Sequence, residues 1–229
     1  MREVIEMESP VEVASEIHRQ IQALPVQNTH SVRTIRREYT GFLRSEDRAF
    51  ILELAGILIH EYAFWALPCE LVRYHPSAFG TLTGVEIETL GQGIDSWWSV
   101  DSFARTISGP AWLRGLVSDE FIHSWACSED RWWRRAALVS TVALNLRSKG
   151  GFGDPVRTLA VCDNLVSDRD DMVVKAMSWA LRELAAVDPD SARSYLQEHE
   201  GELAARVRRE VRNKLDTGLK NPRRDAMDS

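Results

Sequence analysis

Apolar residues recur at intervals of three and four along almost the whole chain, while stretches that alternate apolar and polar between turn residues are nearly absent. That spacing gathers the apolar side chains of each segment onto one helical face, so the sequence predicts an all-α fold. One clear unit begins at Ser128, predicted to cap a helix whose positive end is favoured by Glu129 and Asp130. It turns Trp132, Ala136, Val139, Ala143 and Leu146 inward and stops before Gly150-Gly151. A second starts near Asp170, carries Val173, Ala176, Met177, Ala180, Leu181 and Leu184 at the same spacing, and ends at Asp188-Pro189. Further helices are predicted over 11–24, 31–43, 47–62, 68–74, 82–90, 96–107, 110–126, 155–166, 191–199 and 202–219. Many short helices joined by short breaks suggest antiparallel pairs stacked side by side, a solenoid with a concave face. The letters show no clean repeat, so a globular helical bundle is the alternative.

With 229 residues, 44% of them hydrophobic, the chain is long enough to bury one sizeable core, and a single domain over 1–229 is expected. No apolar run reaches the roughly 18 residues that cross a bilayer, and residues 1–6 lack the apolar stretch of a signal peptide, so a cytoplasmic protein with no membrane partner is expected. Cys69, Cys127 and Cys162 are odd in number and far apart, which indicates neither a disulfide framework nor a zinc knot. His60-Glu61 has no second histidine at helical spacing, and Gly151-Phe152-Gly153 has no phosphate-loop lysine after it, so the latter reads as a break between helices. Neither a metal nor a nucleotide cofactor is implied.

A net charge of -6 argues against a protein that coats nucleic acid through overall positive charge. The distribution is uneven, however: residues 204–224 hold 8 basic and 2 acidic side chains. Arg206, Arg208, Arg209, Arg212 and Lys214 fall in one segment, with Lys220, Arg223 and Arg224 in a tail expected to be flexible from about residue 220. Such a run reads either as a solvated helix face or as a surface for phosphates.

Eight tryptophans are more than average, and most sit in polar-flanked clusters: Asp95-Ser96-Trp97-Trp98-Ser99-Val100-Asp101, Arg131-Trp132-Trp133-Arg134-Arg135 and Lys175-Ala176-Met177-Ser178-Trp179. Neighbours on a helix point about 100° apart, so at least one member of each Trp pair should face solvent or a ligand. These blocks, extended through Ala136-Ala137-Leu138 and Ala180-Leu181-Arg182-Glu183 and followed by Arg208-Arg209-Glu210, resemble in order and spacing the AlkD-like DNA alkylation repair proteins, over about 96–212.

The resemblance implies HEAT-like repeats curved around a concave DNA-binding face, and a monomeric, monofunctional, cofactor-free glycosylase. Its partner would be double-stranded DNA carrying cationic lesions such as 7-methylguanine and 3-methyladenine, released without drawing the base into a pocket. Asp101 matches the family's catalytic carboxylate, Trp179 one of two tryptophans lining the sugar, and Arg135 a phosphate-binding arginine. Lys175, Arg208, Arg209 and Arg212 are further phosphate candidates. For the second aromatic, only Ser99-Val100 separates the Trp pair from Asp101, one residue fewer than the family pattern. Trp97, four residues before Asp101, shares its helix face and is the expected choice; Trp98 takes the role if a loop absorbs the shortened segment. A HEAT-like scaffold that binds DNA or protein without catalysis is the competing reading, because the fold serves both.

Overall fold

The computed structural model describes residues 9–222, which places Arg223, Arg224 and the rest of the expected tail outside the described residues. It is all-helical, and the chain divides into two compact units, one ending at Gly93 and the other beginning at Ile94. No helix of the described residues is long and apolar enough to cross a membrane.

The first unit comprises α1 (Pro10–Gln22), α2 (Thr29–Phe42), α3 (Arg48–His60), α4 (Ala66–Tyr74) and α5 (Gly84–Gly91). Capping residues set the starts: Ser9, Asn28, Asp47 and Thr83 each accept a hydrogen bond from a backbone N–H of the turn that follows. Helix α3 packs against α1 and α4, burying Ile51, Leu54, Ala55 and Leu58 with Val13, Ala14 and Ile17 of α1. Arg36 to Glu70 and Arg48 to Glu86, both at 2.8 Å, tie α2 to α4 and α3 to α5.

The second unit holds α6 (Trp97–Phe103), a π-helical turn (Ala104–Ser108), α7 (Gly109–Leu113), α8 (Asp119–Ala126), α9 (Arg131–Asn145), α10 (Pro155–Asn164), α11 (Asp171–Val187), α12 (Pro189–Glu198) and α13 (Ala205–Thr217). Helix α9 is its axis. Every residue from Arg135 to Asn145 is buried, because α6, α7, α8, α10 and α11 all pack on it. Helix α11 then carries α12 and α13 on its other sides. Within each unit helices pack on partners close in sequence, the arrangement expected of stacked helical repeats.

Two local expectations are corrected. Residues 110–126 are not one helix: Gly115 adopts a left-handed φ of 71°, which ends α7, and the Ser118 hydroxyl accepts from Phe121 N to begin α8. The cap of α9 is Asp130, whose carboxylate accepts from Trp132 N, while Ser128 accepts from Asp130 N one step earlier. Helix α9 does stop before the glycines at 150–151: it ends at Asn145, where Leu146 turns extended. Gly150, with φ 92°, caps the short 3-10 turn Arg147–Lys149 that follows, and Gly151 donates to the Leu146 carbonyl at 3.0 Å.

Helices α7 and α9 approach closely at Gly109. A Cβ on Gly109 would lie 2.5 Å from the Ser140 carbonyl oxygen and 2.9 Å from Ala143 Cβ, and the adjacent Ser108 and Ser140 hydroxyls share a hydrogen bond at 2.7 Å. The obstacle is backbone, so the helices must part to admit a methyl group. We expect Gly109→Ala to cost about 1–3 kcal/mol in denaturant unfolding, as overpacked sites do. Unchanged stability would mean that the α7–α9 contact yields more easily than this geometry implies.

Candidate active site

Helix α6 sets the first side chains. The Ser96 hydroxyl accepts from Ser99 N at 3.2 Å, while Ser99 Oγ accepts from the backbone N–H groups of Asp95 and Ser96 at 3.1 Å, so the helix starts at Trp97. Trp97, Asp101 and Arg105, spaced by four, therefore form one stripe that runs from α6 into the π-helical turn. Trp97 and Trp98 are 55% and 49% exposed, with their rings edge to face at 6.0 Å. Trp97, and not Trp98, forms part of the wall of an open cleft whose other walls are Arg135, Met172, Lys175, Trp179, Arg182, Arg206 and Lys220.

Arg135, in the wall of this cleft, pairs with Asp101. Arg135 donates from Nε to Asp101 Oδ1 at 3.0 Å, and from Nη2 to Oδ1 at 2.8 Å and Oδ2 at 3.1 Å. Its Nη1 donates to the Met172 carbonyl at 2.7 Å, which ties the start of α11 to α9. The Arg135 side chain is 6% exposed and that of Asp101 20%. Burial pushes the Asp101 carboxyl up from its ordinary value, while the charges of Arg135 and, less strongly, Arg105 pull it down. Arg135 therefore faces a tertiary carboxylate rather than the local Glu129 or Asp130. Arg134 takes the local role, donating to the Ser128 and Glu129 carbonyls and pairing with Asp168 at 2.8 Å.

Opposite α6, the Trp179 indole is held from two directions. Its Nε1 donates to Glu183 Oε1 at 2.9 Å, and the Arg105 guanidinium lies 5.6 Å from the ring centroid. Arg182 is half-buried, and burial lowers its pKa from the ordinary value. Lys175 and Arg206 share Asp171 at 2.6 Å and 3.4 Å. Lys220 pairs with Glu210 at 3.3 Å, and the buried Glu210 carboxylate also accepts from the Ser178 hydroxyl at 2.6 Å. Five cations thus edge a cleft that presents two indoles, with a partly exposed carboxylate bound to one of the cations. Such a surface can attract a polyanion and, at the carboxylate and indole faces, stabilise a positive charge.

The structure brings Trp97, Trp179, Arg135 and Lys175 to this cleft, with Asp101 joined to it through Arg135. Arg208 and Arg212 turn instead toward Glu200, donating to its carbonyl at 2.8 Å and its carboxylate at 2.6 Å. Arg209 is largely exposed beside Glu210 at 3.9 Å. Sequence reasoning missed Arg105 and Arg182. Counting four residues onward from Asp101 finds the first, and counting three onward from Trp179 finds the second.

A family model described as DNA alkylation repair enzyme matches residues 8–215 of the chain. No curated protein matches it.

Proposed function

The chain belongs to the family of DNA alkylation repair enzymes, and from that premise we propose that it hydrolyses the N-glycosidic bond of cationic N-alkylated purines, such as 7-methylguanine and 3-methyladenine, in duplex DNA without flipping the base. A purine already carrying positive charge leaves readily, so the protein has chiefly to stabilise the oxocarbenium-like sugar that remains. Asp101 supplies the opposing charge and orients the attacking water. Trp97 and Trp179 offer their faces to the same positive charge. Lys175, Arg182, Arg206 and Lys220 hold backbone phosphates, which fixes register without reading sequence. Arg135 orients Asp101 and presents its remaining edge to the cleft, where a phosphate contact completes its set of donors.

The observation that carries this reading is the placement of a partly exposed carboxylate, gripped by Arg135, on the stripe of Trp97 and beside a cleft that also holds Trp179. The test is chromatographic detection of free 7-methylguanine and 3-methyladenine released from methylated duplex DNA by the purified protein. DNA binding without release would favour the second reading, a DNA-binding helical protein without catalysis. One feature speaks for that alternative: both Asp101 oxygens already accept hydrogen bonds from Arg135, as in a purely structural ion pair.

The cleft also separates the neighbouring tryptophans. Trp97→Ala is expected to slow excision at least tenfold, about the worth of one desolvated cation–π contact, whereas Trp98→Ala should change it little. Single-turnover rates on one methylated duplex decide this, and a larger effect at Trp98 would reverse the assignment.

A further inference from the structure

Arg105 is the one residue of the Trp97–Asp101–Arg105 stripe to which the proposed reaction gives no task. It is exposed, and among the described residues it makes no hydrogen bond or ion pair. Nearly every other cation near the cleft is engaged: Arg135 with Asp101, Lys175 and Arg206 with Asp171, and Lys220 with Glu210. The position of Arg105 is nevertheless defined. Its guanidinium lies over the Trp179 ring at 5.6 Å, and its charge acts on Asp101. The π-helical turn that carries it is anchored, because Ala104, Ile107 and Ser108 are buried and Ser108 is bonded to Ser140 of α9.

A guanidinium is a planar fork of five donors suited to the oxygens of a phosphate. Here the fork is unspent, over the indole that the reaction would use and with its charge acting on the carboxylate. We propose that Arg105 binds the backbone phosphate next to the reacting nucleotide, and so acts as a positioning residue that sets the sugar against Asp101 and Trp179. The inference rests on the DNA-repair reading of the cleft. In free protein the Trp179 face holds the guanidinium in place; with DNA bound, the phosphate draws it outward and leaves that face to the sugar. Its reach explains why the stripe continues one turn beyond Asp101, on a segment locked to α9.

The experiment uses a duplex with one 2′-fluoro-7-methylguanosine, whose glycosidic bond resists cleavage because fluorine disfavours the oxocarbenium ion. Single methylphosphonates replace, in turn, the phosphates on either side of it. Neutralising one of these should weaken wild-type binding about five- to tenfold. It should weaken binding of Arg105→Ala hardly at all, and that variant should show a salt dependence of binding lower by about one phosphate contact. Arg105→Lys should retain the salt dependence but lose part of the positioning, seen as a lower single-turnover rate on a cleavable duplex. Equal sensitivity of wild type and Arg105→Ala to every methylphosphonate would overturn the proposal. If the wild type releases alkylated bases while Arg105→Ala does so at the same rate, the phosphate role fails and the glycosylase reading stands. If the wild type binds and shows the Arg105-dependent methylphosphonate effect without releasing base, the reverse holds.

Discussion

Replacing Asp101 by Asn is expected to reduce release of 7-methylguanine from duplex DNA by about 10²–10³-fold, the range typical of removing one preorganised charge from a developing transition state. The change deletes a charge and hardly any volume, and the remaining amide oxygen can still accept from Arg135, so the fold should persist. Binding should stay within about threefold of wild type, or tighten, because a negative charge is lost beside a cleft edged by five cations. The wild-type rate should also fall on acidification. A carboxylate acts only when ionised, and burial raises the Asp101 pKa. The acid limb should therefore lie above the ordinary carboxylate value and be absent from what activity remains in Asp101→Asn. An unchanged acid limb in that variant would assign the titration to another group.

Arg135→Ala should produce the largest combined loss. It removes all three hydrogen bonds to Asp101 and the bond to the Met172 carbonyl, and leaves a half-buried carboxylate unpaired. Breaking a buried pair from one side costs about 3–5 kcal/mol, and the partial exposure of Asp101 places this case at the low end. Sequence reasoning alone gives Arg135 only a phosphate, so that its loss would weaken binding and spare catalysis. The geometry instead couples the two: with its counter-charge gone, Asp101 protonates more readily, and the acid limb moves to higher pH as the maximal rate falls. Arg135→Lys keeps the charge without the fork and should fall between. If Arg135→Ala were to weaken DNA binding while leaving stability and the pH profile as in wild type, the Asp101–Arg135 contact would have no catalytic weight.

Periodicity read the helices well because each buries one apolar stripe, and caps and glycines mark their ends locally. It failed at 110–126, where Gly115 and Ser118 interrupt a pattern whose apolar spacing continues across the break. At the site, the four-residue interval from Trp97 to Asp101 was legible because it lies within one helix. The grip of Arg135 on Asp101 was not, since it joins α9 to α6 across 34 positions and nothing in either segment announces the partner. The basic C-terminal run shows the same limit: charge counting marks Arg208 and Arg212 as strongly as Arg206, yet the fold turns the first two toward Glu200 and only the last to the cleft.

Whether this cleft breaks a glycosidic bond or merely holds DNA is decided by mixing excess protein with a duplex bearing one 7-methylguanine and following free base and bound DNA in the same samples, for wild type and Asp101→Asn. The wild type should release 7-methylguanine stoichiometrically, leaving an abasic site, while the variant should bind but release almost none. Equal binding by both proteins with no base released by either would contradict the glycosylase reading.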